Sequence, residues 1–226
     1  MFYKDHVLAF GCTHLPFEHP LYLDFIMEIK SRVKCGTVVC LGDFVDNHAL
    51  SMSYLPDPNG RSPADEINEA REHAKKYYKA IPNLYYCFGN HCKRVDNKAR
   101  HVGLPDDVFR PFRDIWGLPK GWRDDYSWEI NGVRYLHGTG ISGDNAPEKA
   151  AINNRQSSVI AHIHHNLKAG FMASAKDRIL YMGTGCGIDI KRYAFEYNRD
   201  FPKRPLLGCG VITDAGRFAQ TFPMEI

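Results

Sequence analysis

The first half of the chain alternates short, wholly apolar runs with segments of helical periodicity. Residues 7–10, Val-Leu-Ala-Phe, read as a buried strand. Residues 21–33 follow with apolar positions at Leu21, Phe25, Ile26, Ile29 and Val33, the spacing of an amphipathic helix. A second apolar run, "TVVCLGD" (37–43), ends in a Gly-Asp turn. Ser62-Pro63 then opens a helix to about residue 81, with Asp65 and Glu66 in the first turn, where the helix dipole favours negative charge. "NLYYCFGNH" (83–91) is a third strand running into a polar turn. Strands alternating with helices predict right-handed crossovers and a largely parallel sheet.

The second half changes character. "YSWEINGVRYLHG" (126–138) places Asn131-Gly132 between two alternating runs, a hairpin signal. Residues 146–154 form a short helical pattern, and "SSVIAHIHHN" (157–166) is a buried strand whose end carries alternating histidines. Strands are expected over roughly 167–173, 178–182, 207–213 and 217–222, with "TDAGR" as the tight turn between the last two. There is no internal repeat. The loop "PDPNGRSP" (56–63) lies within a single domain spanning 1–226.

Composition narrows the classes. With 226 residues and 44% hydrophobic content, one domain can bury a sizeable core. A net charge of +3 is too small to argue for nucleic acid or membrane by itself, and no apolar run approaches the length of a membrane span. The amino-terminal residues lack the pattern of a signal peptide. Seven cysteines, none spaced as C-x-x-C, disfavour a disulfide framework and a zinc ribbon, so reduced thiols in a cytoplasm are expected. The pattern says nothing about oligomeric state.

Five polar loops carry the candidate chemistry, each at the end of an apolar run: "GCTH" (11–14), "GDFVDN" (42–47), "GNH" (89–91), "LHG" (136–138) and "AHIH" (161–164). In an α/β protein the carboxyl ends of the strands converge on one rim, where ligands bind. Loops rich in His, Asp and Asn on that rim would make a metal site. Imidazoles suit Zn, Fe or Ni, carboxylate and amide oxygens suit Mn or Mg, and one Asp can bridge two ions. Two such ions lower the pKa of a shared water and clamp phosphoryl oxygens.

In order and spacing these motifs resemble the calcineurin-like metallophosphoesterase superfamily, whose pattern is Asp-x-His, Gly-Asp-x-x-Asp, Gly-Asn-His-Asp/Glu, a lone His and Gly-His-x-His. Any one motif is weak; five in order are specific. The segment from Gly183 to Val211 also resembles the carboxyl-terminal part of a phage and prophage branch, which would place the protein in a host cytoplasm. The resemblance implies a four-layer α-β-β-α sandwich with two mixed β-sheets, and two divalent metal ions (Mn, Zn or Fe). His14 and His164 would bind the first metal, with whatever Cys12 supplies. Asp43 would bridge both, and Asn90, His137 and His162 would complete the second. His91 would act as general acid, oriented by Asp46, while a metal-activated hydroxide attacks the phosphorus of a phosphate ester, of nucleotide or nucleic-acid type among the options.

The chain departs from that pattern at four places. Cys12 replaces the first aspartate, Cys92 the acidic residue after Gly-Asn-His, Asn47 a phosphate-binding arginine of protein phosphatases, and Ala161 a glycine. Cys12 has three readings: a metal ligand, a bystander beside a metal, or a core cysteine. A thiolate would tilt preference toward Zn or Fe. Loss of the first site would instead leave a catalytically impaired binding or regulatory protein, and a redox role for Cys12 with Cys92 is a further reading. Asn47 tilts the substrate away from phosphoproteins, since a diester monoanion needs less positive charge than a monoester dianion. Asn47, His48 and Arg94 are the candidate substrate-binding residues. Lys93, Arg94, Lys98, Arg100 and His101 form a basic cluster that either contacts phosphate or is a solvated helix face. His19 and His165 have no motif role, and Tyr193 and Phe195 read as core aromatics.

Overall fold

The computed structural model describes residues 2–52, 62–192 and 202–225. Tyr193, Phe195 and most of the loop at 56–63 lie outside the described residues. Among the described residues the chain builds two mixed sheets. The first has the order β11-β10-β1-β2-β3-β4, from β1 (Tyr3–Phe10), β2 (Cys35–Cys40), β3 (Leu84–Cys87), β4 (Trp122–Asp125), β10 (Gly208–Thr213) and β11 (Phe218–Pro223). The second has the order β5-β6-β7-β9-β8, from β5 (Ser127–Ile130), β6 (Val133–Leu136), β7 (Ser158–Ile160), β8 (Leu167–Ala173) and β9 (Arg178–Thr184).

Strand alternation creates the layers. Val7, Ala9, Val39, Leu41 and Cys87 point into a core shared with Val133, Tyr135, Val159, Leu180 and Met182 of the second sheet. Their neighbours Leu8, Phe10, Val38, Cys40, Leu84 and Tyr86 face the other way, onto Tyr22, Ile26 and Ile29 of α1 (Tyr22–Arg32) and Ala70, Ala74 and Tyr77 of α2 (Pro63–Ala80). Ala146 and Ala150 of α5 (Ala146–Asn154) cover Ile160 on the far side of the second sheet. The result is helix, sheet, sheet, helix. Because the carboxyl-terminal parts of β1 to β3 are buried on both faces, those parts are continuous apolar runs rather than alternating ones.

Local signals explain the boundaries. Ser62 and Asp65 form a reciprocal capping box, with Pro63 in the first turn, which fixes the start of α2. Asn131 and Gly132 take φ of 54° and 72°, the two left-handed residues of a type I′ turn, and join β5 to β6. The parallel order β1 to β4 agrees with the alternating first half. Three features differ from expectation. β1 begins at Tyr3 rather than at residue 7, because its first half is solvent-facing and carries polar residues. The last two strands return to the first sheet, β10 pairing antiparallel with β1, a long-range choice invisible to local periodicity. Finally, α3 (Arg94–His101), α4 (Phe112–Trp116) and the edge strand β4, "WRDD", carry too few apolar residues to announce themselves. No helix among the described residues is long and apolar enough to cross a membrane.

Candidate metal centre

The five loops follow β1, β2, β3, β6 and β7 and meet at one end of the two sheets. The first two are zipped together: Cys12 N donates to Gly42 O (2.9 Å), His14 N to Asp43 O (2.9 Å) and Asp46 N to Leu15 O (3.0 Å). Turning so sharply after a strand requires unusual backbone. Cys12, His14, Asp43, Asn47 and His162 all have φ between 47° and 59°. Left-handed backbone costs a non-glycine residue about 1–3 kcal/mol, so the rim concentrates strain that the packed sheets beneath must hold. His162 and His164 therefore lie in a turn beyond β7, which ends at Ile160, and not at alternating positions of a strand.

Glycine is required where backbones touch the carboxylate. A Cβ on Gly89 would lie 2.1 Å from Asp43 Oδ1, and one on Gly42, whose φ is +90°, would lie 2.8 Å from Gly89 N. At Gly11 a Cβ would meet that of Ala161 at 2.8 Å, so the bare Gly11 makes the room that Ala161 fills in place of the motif's glycine.

Two groups of donor atoms face each other across Asp43. In the first, His14 Nε2 lies 3.2 Å from His164 Nε2, and the donor atoms of Cys12, His14 and His164 all fall within 4.8 Å of one another. In the second, His137 Nε2 lies 3.0 Å from Asp43 Oδ2, 3.0 Å from Asn90 Oδ1 and 3.1 Å from His162 Nδ1. Cys12 belongs to both neighbourhoods, since its sulfur also falls within 4.8 Å of the donor atoms of Asp43 and His137. Atoms bonded to one ion at about 2.0–2.2 Å stand roughly 3–3.5 Å apart at tetrahedral or octahedral angles, and these spacings match.

Proton counting supports the same reading. A neutral imidazole has one N–H. His137 Nδ1 donates it to Leu41 O at 2.7 Å, which turns the Nε2 lone pair onto the Asp43 carboxylate and the Asn90 amide oxygen. His14 Nδ1 likewise donates to Asp46 Oδ1 at 2.7 Å, leaving Nε2 for the interior. Converging lone pairs repel unless a cation lies between them, and outward hydrogen bonds of this kind fix the tautomer a ligand histidine needs. Burial and the neighbouring imidazoles hold His162 down at about 4, and they push His164 well below the ordinary histidine range. Burial also lowers His14, with His91 adding to it. Burial opposes ionisation of Asp43 and Asp46, but the surrounding histidines outweigh it and hold both carboxyls well below the usual range.

Asp46 is a hub. Its Oδ1 accepts from His14 Nδ1 and lies 2.6 Å from His91 Nδ1, and its backbone carbonyl accepts from His91 Nδ1 at 3.0 Å and from Arg94 Nη1 at 3.0 Å. Burial works against a proton on His91, but Asp43 and Asp46 prevail and raise it above the ordinary value. Arg94 Nη2 stands 3.1 Å from His91 Nε2, so Arg94 is tethered to the proposed acid and its carboxylate. Asn47 is buried, its amide nitrogen donating to His91 O at 3.1 Å while Oδ1 has no partner among the described residues. The His48 ring packs edge-on to Phe17.

The four departures resolve differently. Cys12 is fully buried, and its sulfur accepts from His162 N at 3.2 Å; burial, then the charge of Asp43, raises its thiol pKa well above the ordinary value. Cys92 belongs to the other core, between sheet and helices, where its sulfur lies 3.0 Å from Tyr86 Oη and accepts from Gly89 N. Cys12 packs between the sheets, so the first sheet separates the two thiols and a redox pair of Cys12 with Cys92 has no structural basis. His19 Nδ1 accepts from its own turn and His165 pairs with Asp144, both away from the centre.

One residue escaped the sequence reading. Glu66, expected only as a dipole-favoured residue of α2, is buried and accepts from His48 N (2.6 Å) and Ala49 N (2.8 Å). It clamps the loop that carries Asp46 and Asn47. Burial raises its carboxyl to about 7, with Asp46 adding to the effect and the two amides opposing it. Nothing local in the sequence separates this role from ordinary helix capping.

Residues 6–176 match the sequence profile described as calcineurin-like phosphoesterase. No curated protein sequence matches the chain. Among solved structures, an archaeal phosphodiesterase is similar at 14% identity and a TM-score of 0.50, covering 97% of this chain and 99% of that one. A metallophosphoesterase from Sphaerobacter thermophilus is similar at 11% identity and a TM-score of 0.50, over 97% of this chain and 88% of its own. Likeness at such identity speaks to the fold alone; the profile match, over most of the chain, speaks to descent. The chain belongs to the calcineurin-like phosphoesterase family.

Proposed function

We propose that the chain is a metal-dependent phosphoesterase that hydrolyses phosphate mono- or diesters at the centre between the five loops. The observation that carries this reading is the convergence of donor atoms of His14, His137, His164, Asn90 and Asp43 at 3.0–3.2 Å, which divalent cations between them would reconcile. His14, His164, Asp43 and Cys12 would hold one divalent ion; Asp43, Asn90, His137 and His162 would hold a second. Divalent ions held there would supply Lewis acidity, lowering the pKa of water toward about 7 and offsetting charge on phosphoryl oxygens.

The protein's own groups then have separable tasks. The lowered imidazoles stay neutral at pH 7, so protons do not compete for the donor atoms. His91, anchored through Nδ1 to Asp46, would take up a proton on Nε2 once Arg94 leaves it, favoured by Asp43 and Asp46, and would pass it to the departing alcohol oxygen. Donation requires Arg94 to leave His91 Nε2, and the freed guanidinium is then available to a phosphoryl oxygen. Asn47 places no positive charge where protein phosphatases of the superfamily carry an arginine, which suits a diester monoanion better than a monoester dianion.

The test pairs metal analysis of purified protein with hydrolysis of activated phosphate mono- and diesters in added Mn, Zn or Fe. Bound transition metal and hydrolysis lost on His91→Asn are expected. Protein free of such metals and inert toward both esters would sink the reading. The burial and raised pKa of Cys12 favour a second one, in which the first site is weak and the fold binds phosphate or a partner without turnover. There, Asp43→Asn would leave the biological role intact.

A further inference from the structure

Beside the centre runs a cleft of ≈ 330 Å³ that shares Asn90 and His137 with the metal donors and extends along Phe88, Lys93, Asn97 and Tyr126. That volume falls at the lower end of the roughly 300–1,000 Å³ of small-ligand pockets. Its far wall is an aromatic ring out of place on a surface. Tyr126 is 59% exposed, yet it is braced against Phe88 at 5.3 Å, which itself packs on Phe112 at 5.4 Å and Tyr86 at 5.8 Å. Lys93 Nζ lies 4.5 Å over the Tyr126 ring. Asn90, Lys93 and Asn97 follow one another at intervals of three and four along the turn into α3, so one helical face presents them all to the cleft. The Asn97 amide and the Thr139 hydroxyl have no hydrogen-bond partner among the described residues, and both line the space.

We propose that this cleft is the nucleobase subsite of a nucleoside phosphate substrate, a reading that rests on the phosphoesterase assignment and specifies its substrate class. A base stacked on the Tyr126 ring takes the place of the Lys93 ammonium, which the flexible lysine stem can swing onto the outer face of the base, ring against ring on one side and ammonium over a π face on the other. Asn97 offers a donor and an acceptor together, the pairing that the edge of a heterocycle presents. A phosphate attached to that nucleoside reaches Asn90 and His137 at the inner end of the same cleft. An alkyl or sugar phosphate would use none of the aromatic wall.

The experiment titrates metal-loaded protein with adenosine 5′-monophosphate, ribose 5-phosphate and inorganic phosphate, in wild type, Tyr126→Ala and Tyr126→Phe. Stacking of one base predicts an affinity advantage of about 5- to 150-fold for the nucleotide over ribose 5-phosphate in wild type. The advantage should vanish in Tyr126→Ala and persist in Tyr126→Phe, with inorganic phosphate affinity unchanged in all three. Equal binding of nucleotide and sugar phosphate by wild type, or an advantage that survives Tyr126→Ala, overturns the subsite while leaving the phosphoesterase assignment standing. Failure of inorganic phosphate to bind any of the three overturns the assignment and the subsite together.

Discussion

Gly89→Ala isolates the contribution of backbone packing to the metal centre. Gly89 is not in the left-handed region, so alanine there meets no conformational penalty and its only effect is steric. The added methyl would stand 2.1 Å from Asp43 Oδ1 and 2.7 Å from Asp43 N. Ordinary contact begins at about 3.4 Å, so carboxylate and methyl must separate by roughly 1.3 Å (3.4 − 2.1), and the nearby backbone nitrogen denies an escape by side-chain rotation alone. Such a shift breaks the 2.8 Å bond from His91 N to Asp43 Oδ1 and the 3.0 Å approach to His137 Nε2. Overpacking of this kind costs about 1–3 kcal/mol of stability. A misplacement of about 1 Å at a reacting centre costs on the order of 100-fold in rate. The assay measures metal content after dialysis, chemical denaturation of the metal-free protein, and ester hydrolysis. Gly103→Ala is the control: its φ is +82° and its Cβ would meet nothing within 4 Å, so it should lose about 1 kcal/mol and keep its metal. Metal content and rate in Gly89→Ala equal to those of wild type would refute the argument.

Three further outcomes follow from the same geometry. Cys12→Asp suits the φ of 50°, since aspartate tolerates left-handed backbone, and it should shift occupancy from Zn toward Mn in competition dialysis while changing the rate less than the preference; creation of activity in an inert wild type would instead mark Cys12 as a lost ligand. Because His162 titrates at about 4 and His14 and His164 are also lowered, metal should stay bound as pH falls from about 8 to about 6, where ordinary histidines begin to protonate, and loss of half the metal by pH 6 would contradict the burial argument. The folded-state pKa of Glu66, raised from an ordinary 4.5 to about 7, means its contribution to stability is complete below 4.5 and fades as pH rises through 7. A difference of about 2.5 in pKa corresponds to about 3 kcal/mol, so the stability advantage of wild type over the non-titrating Glu66→Gln should shrink by that much across the interval. A constant gap by urea denaturation would show that burial of Glu66 does not govern its proton.

Much of the centre was legible because its chemistry is local. Each of the five loops ends an apolar run, and a strand end followed by Gly, Asp, Asn or His is visible without knowledge of the fold. The hairpin at Asn131-Gly132 and the cap at Ser62 were legible for the same reason: turn type and capping depend on two to four residues. What stayed hidden depends on residues far apart in sequence. Glu66 meets His48 and Ala49 only after α2 packs, β10 finds β1 across most of the chain, and Cys92 turns from the site because of where Tyr86 stands. The left-handed backbone of Cys12 leaves no compositional trace, and that of His14, Asp43 and His162 only a faint one, since Asp and His enter that region more readily than other residues but adopt it in a small minority of cases.

The shared oxygen of Asp46 has a consequence for regulation by metal supply. One atom accepts from His14, which faces the first donor group, and stands 2.6 Å from His91 Nδ1, close enough for its charge to act on both rings. A cation drawing charge from His14 strengthens that N–H as a donor and leaves less negative potential for His91. In the proposed mechanism, a cation at the first position would therefore make His91 a stronger acid, and reciprocity would require that deprotonating His91 tighten the hold on that cation by the same factor. Exchanging one metal for another would then also shift the pH optimum of hydrolysis, so metal supply would set the acidity at which such a centre works best.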